Sequence, residues 1–129
     1  MRSGAVKLVL TGLVLAFGLT GAGVGAREQV STPVGATVQL SGLPAQGQET
    51  YQRIREGGPF AYEKDGTVFG NRERLLPAFK RGYYLEYTVK TPGAKNRGAR
   101  RIVCGGPRTA PETCYYTADH YASFRQIVP

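Results

Sequence analysis

The sequence predicts an α+β fold, with one N-terminal helix packed on a twisted antiparallel β-sheet. Two observations carry that reading. Only residues 44–56 ("PAQGQETYQRIRE") show a helical pattern, and a helix that short needs a sheet to dock on. The chain after it is strand-like, with short alternating runs set between Asp-Gly, Gly-Asn and Pro-Gly turns.

The first 26 residues precede the domain. Arg2 and Lys7 give a basic start, Leu8–Phe17 is an apolar run, and small residues lead to Val24-Gly25-Ala26. That order describes a secretory signal peptide cleaved after Ala26. Retention of Leu8–Ala26 as a membrane anchor is the alternative, but its second half is mostly Gly and Ala and no cationic stop-transfer cluster follows at once. Cleavage leaves 103 residues, enough for one compact domain and not two. Without Arg2 and Lys7 the 17 basic residues become 15, against 9 acidic ones, a net charge of +6. An exported protein of that charge favours polyanionic partners.

Residues 27–42 read as a flexible leader with an edge strand around Ala36, Val38 and Leu40, and residues 43–129 as the domain proper. In the helix, Pro44 suits the first turn, Tyr51 and Ile54 share a face with Gly47, and Gly57-Gly58 stop it. An Asp-Gly turn then precedes a short strand, Thr67–Phe69. Residues 82–89 ("GYYLEYTV") alternate, with Tyr83, Leu85, Tyr87 and Val89 on one face and Tyr84, Glu86 and Thr88 on the other. A Pro-Gly loop leads into "RRIVC" (100–104), and "CYYTADHYASFRQIV" ends the sheet. Cys104 and Cys114 are the only cysteines, and in an exported chain they pair, closing the loop "GGPRTAPET". Such a bridge contributes ~2–3 kcal/mol, mainly by limiting the unfolded chain. One histidine and two cysteines far from zinc spacing predict no metal site and no cofactor.

Few residues are left to do chemistry. Glu86 lies mid-strand among tyrosines. If residues 90–99 connect a hairpin, it faces Arg100 or Arg101, with Arg97 on the connection. Ile102 is the better core residue of its strand, which turns Arg101 toward Glu86. Val103 then shares that face, so the pattern leaves the choice between the two arginines open. His120 sits in the polar turn "ADHYASF" and is the only histidine, the side chain whose ordinary titration range lies nearest neutrality. RNA cleavage by attack of the 2′-hydroxyl needs a base, an acid and fixed cations. Glu86, protonated His120, and Arg97 with Arg101 match those needs, and a two-histidine mechanism is excluded by count.

The segment "FGNRE" (69–73) supplies a base-reading socket. Guanine offers N1–H and its N2 amino group as donors beside the O6 acceptor. The carboxylate of Glu73 matches the donors, and backbone N–H groups match O6. Adenine would set its N1 acceptor against Glu73, a buried mismatch costing ~1–3 kcal/mol. Phe69 and Tyr121 are the aromatics on which an unpaired base stacks.

With these residues identified, the chain from Val38 to Ile127 resembles the guanyl-specific microbial ribonucleases, the group that includes barnase and its shorter secreted bacterial relatives. The segments that carry the resemblance are "GPFAYEKDGTVFGNRE" with the following "LLP", "YYLEYTVKTPGAKNRGARRIV" and "YYTADHYASF". It implies the microbial ribonuclease fold for residues 43–129, with Glu86 as general base, His120 as general acid and Arg97 and Arg101 as phosphate-binding cations. It implies Phe69, Asn71, Arg72 and Glu73 as the guanine loop, with Tyr121 beside the scissile phosphate. The implied reaction is transesterification of single-stranded RNA after guanosine to a 2′,3′-cyclic phosphate, then slower hydrolysis. The implied partner besides RNA is a small acidic barstar-like inhibitor, the protein being a secreted monomer free of the membrane. A basic RNA-binding protein without catalysis, and the same nuclease used as an antibacterial toxin, are the competing readings.

Three positions depart from the family pattern. Gly70 stands where relatives commonly carry a polar side chain. Gln39 stands where some relatives anchor a disulfide between the chain ends, and the Cys104–Cys114 pair replaces that staple locally. "GGPRTAP" lengthens the loop before "CYYTADHY", near where RNA beyond the cut is expected.

Overall fold

In the computed structural model, residues 35–129 are described; the signal peptide expected over residues 1–26, and residues 27–34 of the leader, lie outside them. The helix α1, Ala45–Glu56, starts directly after Pro44, whose carbonyl accepts the first helical N–H groups, from Gly47 and Gln48. It ends where Gly57 adopts a left-handed conformation (φ 86°) and the N–H of Gly58 turns back to the Arg53 carbonyl, which is the stop that Gly provides without a Cβ clash. The amphipathic spacing buries Gly47, Tyr51 and Ile54 on one face.

Six strands form one sheet: β1 (Thr37–Gln39), β2 (Thr67–Val68), β3 (Tyr84–Thr88), β4 (Arg101–Gly105), β5 (Thr113–Thr117) and β6 (Arg125–Val128). Their spatial order is β1-β6-β5-β4-β3-β2. All neighbours are antiparallel except β1 and β6, which run parallel with Gln39 opposite Val128. The first and last strands of the domain are thus joined by backbone pairing, with Gln39 in it.

The sheet carries a core on each face. On one, Tyr51 and Ile54 of α1 pack with Leu85, Tyr87, Val89, Ile102 and Tyr116. Burying each such aliphatic side chain favours folding by roughly 1.5–3 kcal/mol. On the other face Tyr84, Val103 and Tyr115 pack under Leu76 and Phe124. The alternation read in 82–89 therefore holds for Leu85, Tyr87 and Val89, but Tyr84 is a buried core residue of the second layer. Tyr83 precedes the strand. Gly82 (φ 98°) turns the chain there, and the Tyr83 ring comes to lie where a side chain on Gly105 would otherwise be. The short strand expected over Thr67–Phe69 ends at Val68, and Phe69 bends into the second core.

Cys104 and Cys114 are joined by a disulfide across the β4–β5 pair, where they stand directly opposite. The loop they close folds toward the start of β3. Its Arg108 donates to the Gly66 carbonyl at 3.5 Å, and Glu112 accepts the Tyr83 hydroxyl at 2.7 Å.

Candidate active site

The site lies on the sheet face opposite α1, and β3 organises it. Within β3, Glu86 and Thr88 point to the same side. The strand register places Val103, not an arginine, directly opposite Glu86, and sets Arg101 opposite Thr88. Arg101 thus reaches Glu86 along the diagonal. Its Nε stands 3.8 Å from Glu86 Oε1, and the side chain is only 3% exposed. Such burial of a cation is costly unless its donors are satisfied. Here Nη1 donates to the Arg100 and Gly98 carbonyls at 2.7 and 3.1 Å, and Nε donates to the Tyr121 hydroxyl at 3.1 Å.

Arg97 comes from the loop between β3 and β4. Its Nη2 donates to Glu86 Oε1 at 3.1 Å and to Thr88 Oγ1 at 2.8 Å, and its Nε donates to the same Thr88 oxygen at 3.0 Å. Thr88 is an element of the site that the sequence analysis passed over as a polar strand residue. Its N–H is taken by Asp65 Oδ1 at 2.7 Å and its carbonyl by Thr50 of α1 at 3.0 Å. Helix, loop and strand therefore meet at the residue that fixes Arg97. Only the Asp65-Gly66 turn hinted at it, and a turn signal does not reveal a long-range acceptor.

Glu86 Oε1 receives one further hydrogen bond, from the Tyr121 hydroxyl at 2.7 Å. Burial first, and then the neighbouring Glu86 carboxylate, raise the Tyr121 phenol to about 12, so it stays a donor at neutral pH. His120 and Tyr121 both adopt positive φ, at 57° and 73°. Hydrogen bonds on both N–H groups offset that strain. The N–H of His120 is held by the Ala99 carbonyl, and that of Tyr121 by Thr117 Oγ1 at 3.1 Å. Asp119 closes the turn by accepting from Thr117, from the Ser123 N–H and from the Ser123 hydroxyl. These hydrogen bonds, the two from side-chain hydroxyls foremost, lower the Asp119 carboxyl below its ordinary range. The result presents an exposed His120 imidazole with its ring 4.9 Å from that of Tyr121. Tyr121 therefore touches the imidazole with its ring and the carboxylate with its hydroxyl.

Beside this cluster opens a cavity of about 450 Å³. One wall is the loop from Phe69 to Glu73 with Leu75, and the other is His120, Tyr121, Ala122 and Phe124. All of the expected guanine-loop residues border it. Glu73 and Arg72 are exposed at its rim. Asn71 contributes through the backbone, because its side chain turns inward. Its Nδ2 donates to the Leu76 carbonyl at 3.0 Å, and its Oδ1 accepts the Leu76 N–H at 3.2 Å. Positive φ at Asn71 and Arg74 completes this tight loop. Phe69 and Tyr121 do not form an open slot; their rings stack on each other, 5.0 Å apart and inclined by 27°. Phe124 and Leu75 also line the cavity, and no motif in the sequence marks either as a site residue. Gly70 has ordinary φ, and a Cβ there would meet Arg81 Nη1 at 3.5 Å and Arg72 Cγ at 3.6 Å, ordinary contact distances, so the loop has room for a side chain. Among the described residues no three His, Cys, Asp or Glu side chains gather as metal ligands.

A family model described as ribonuclease matches residues 27–128. Guanyl-specific ribonuclease Sa3 of Kitasatospora aureofaciens is 58% identical over 90 residues, which cover 70% of this chain and 62% of that relative. Guanyl-specific ribonuclease Sa of the same organism is 52% identical over 94 residues, 73% of this chain and 95% of the relative. A solved structure of ribonuclease Sa2 in complexes with mononucleotides superposes with a TM-score of 0.68 at 46% identity, covering 73% of this chain and 94% of its own. Another, of ribonuclease Sa2 with guanosine-2′-cyclophosphate, gives a TM-score of 0.66 at 47% identity, covering 73% of this chain and 96% of its own. With a helix on a mostly antiparallel sheet and a family match over four-fifths of its length, the chain belongs to the guanyl-specific microbial ribonucleases.

Proposed function

We infer that the protein is a guanyl-specific endoribonuclease, cutting single-stranded RNA after guanosine through a 2′,3′-cyclic phosphate. The observation that carries this reading is the triple contact on Glu86 Oε1, with hydrogen bonds from Arg97 and Tyr121 and the Arg101 guanidinium at 3.8 Å. A carboxylate so fixed beside two guanidinium groups suits a base that acts where a phosphate is also held.

In this account guanine enters the cavity beside the 69–73 loop. Its N1–H and N2 amino group donate to Glu73, and loop N–H groups donate to O6. Glu86 removes the proton of the 2′-hydroxyl as that oxygen attacks phosphorus. Arg97 and Arg101 stabilise the extra negative charge of the phosphorane, a contribution that preorganised donors make at little reorganisation cost. His120 gives its proton to the departing 5′-oxygen. In the second stage the roles reverse: His120 activates water and Glu86 returns the proton to the 2′-oxygen, leaving a 3′-phosphate. Each proton-transfer group is worth ~10²–10⁴-fold in rate.

The protein acts as a secreted monomer, a placement in keeping with the Cys104–Cys114 disulfide and the basic, apolar, small-residue order of residues 1–26. The Arg97–Arg101 cluster would also suit an acidic inhibitor protein in the producing cell. Phosphorus NMR of GpC turnover tests the chemistry. A cyclic phosphate signal that builds up before the 3′-phosphate is the expected course, whereas a 3′-phosphate formed from the start without it would contradict the mechanism.

A further inference from the structure

Beyond the guanine loop the surface carries a second aromatic feature that the cleavage site does not use. Phe79 and Val68 are the large hydrophobic residues exposed among those described, and Phe79 is the more open, at 56%. One face of its ring stacks on Tyr83, with centroids 3.8 Å apart and planes within 11°, and it meets Tyr84 edge-on. The support beneath it is fixed. The Tyr83 ring covers Gly105, its hydroxyl donates to Glu112 at 2.7 Å, and its N–H closes a turn onto the Lys80 carbonyl. The segment is also tied to the guanine loop, since the Pro77 carbonyl accepts the Tyr84 hydroxyl at 2.6 Å and the Asn71 side chain donates to the Leu76 carbonyl.

The surroundings are cationic. Residues 72–81 hold Arg72, Arg74, Lys80 and Arg81 against a single acid, Glu73. Arg81 spans the gap between the two features: its Nη1 lies 3.5 Å from where a Cβ on Gly70 would stand. An exposed ring backed by a second aromatic, in a stretch of chain rich in Arg and Lys, suits single-stranded nucleic acid, whose bases stack on aromatic faces and whose phosphates pair with cations.

We propose that the Phe79–Tyr83 stack is a second nucleobase platform, which takes the base preceding the cleaved guanosine, with Arg81 holding the phosphate between the two. This rests on the RNA-cleaving function inferred above. Direction follows from β3. Arg97 and Arg101, gathered at Glu86, draw the phosphate on the 3′ side of guanosine to one end of the strand, and Tyr83 stands three residues before Glu86, about 10 Å away at the rise of a strand. The chain on the 5′ side of the bound guanosine then runs away from the scissile phosphate, toward the Tyr83 end.

The test compares kcat/KM for ApGpC with that for the same trinucleotide whose first residue is abasic. Wild type should favour ApGpC roughly tenfold, the rate equivalent of stacking one base on an aromatic ring. Phe79→Ala should bring the ratio close to one and Phe79→Trp should keep it. A second readout needs no catalysis. The chain has no tryptophan, so Phe79→Trp places a single fluorophore on the platform. Its emission should be quenched by 2′-O-methyl ApGpC, which lacks the attacking hydroxyl, and far less by the abasic analogue. Equal rates on the two trinucleotides in wild type, a preference that survives in Phe79→Ala, or equal quenching by both analogues would overturn the platform. Failure of wild type to cut either trinucleotide, with quenching intact, would instead count against the enzyme reading and leave the platform standing.

Discussion

The hydroxyl of Tyr121 donates to Glu86 Oε1 at 2.7 Å while accepting from Arg101 Nε at 3.1 Å. One oxygen thus bridges the proposed base and the buried cation proposed to hold the phosphate. Because Arg101 is almost wholly enclosed, loss of that acceptor would leave its Nε facing only Glu86 Oε1, at 3.8 Å and beyond hydrogen-bond distance.

Tyr121→Phe keeps the ring on Phe69 and deletes the bridge. Leaving a buried charged donor unpaired costs ~1–3 kcal/mol, which urea denaturation would register as a lower midpoint. Turnover of GpC should fall about tenfold, the equivalent of one net hydrogen bond, while the preference for guanosine persists because the 69–73 loop is untouched. A variant of wild-type stability and kcat would show that the bridge carries neither load.

Glu73→Gln tests the socket. The amide keeps the shape but offers a donor where guanine also donates, so kcat/KM for GpC should drop roughly a hundredfold. The loss for a substrate with an abasic residue in place of guanosine should be small. Equal losses on the two substrates would contradict base reading by this side chain.

Stability should be bounded by pH at both ends. On the acid side the folded-state pKa of Asp119 is depressed, so the native turn binds its proton later than the unfolded chain does. Its contribution is present above the ordinary carboxylate range and is lost as pH falls through the depressed value. Asp119→Asn should therefore lose stability at neutral pH, by less than about 1 kcal/mol because the exposed carboxylate is screened by solvent, and match wild type in strong acid. On the alkaline side burial raises Tyr83, Tyr84, Tyr87, Tyr115 and Tyr121. The native state then holds protons that the unfolded chain releases near ~10, so stability is full below that value and declines above it. Denaturation midpoints measured across both ranges check the two slopes. A wild-type advantage over Asp119→Asn that persists unchanged in strong acid would remove the acid-side account.

Much of this was legible in the sequence where the signal is local. Pro44 and Gly57 bracket α1, and the spacing of Tyr51 and Ile54 gives its buried face. The stretches 69–73 and 97–101 are also local, and the fold sets the first on the cavity and brings Arg97 and Arg101 to Glu86. Register was not. The connection from β3 to β4 is too long to set pairing by turn geometry, so nothing local indicates that Glu86 lies opposite Val103 with Arg101 on the diagonal. The parallel β1–β6 pair joins strands about ninety residues apart and leaves no periodic trace. Tyr84 read as a polar-face residue because alternation assumes one wet face, whereas the second core covers this one. Thr88 and Asp119 were passed over for a related reason: each acts by accepting hydrogen bonds that depend on how the chain closes.

The central claim is that a guanosine-selecting pocket serves an acid–base pair in which His120 gives the proton to the leaving oxygen. Its most direct test is cleavage of two matched short RNAs in EDTA, one with a single guanosine and one with none, by the refolded protein and by His120→Ala. The account predicts a single cut, after the guanosine, made by wild type and reduced at least a hundredfold in the variant. Cutting of the guanosine-free RNA, or cutting by His120→Ala at the wild-type rate, would contradict it.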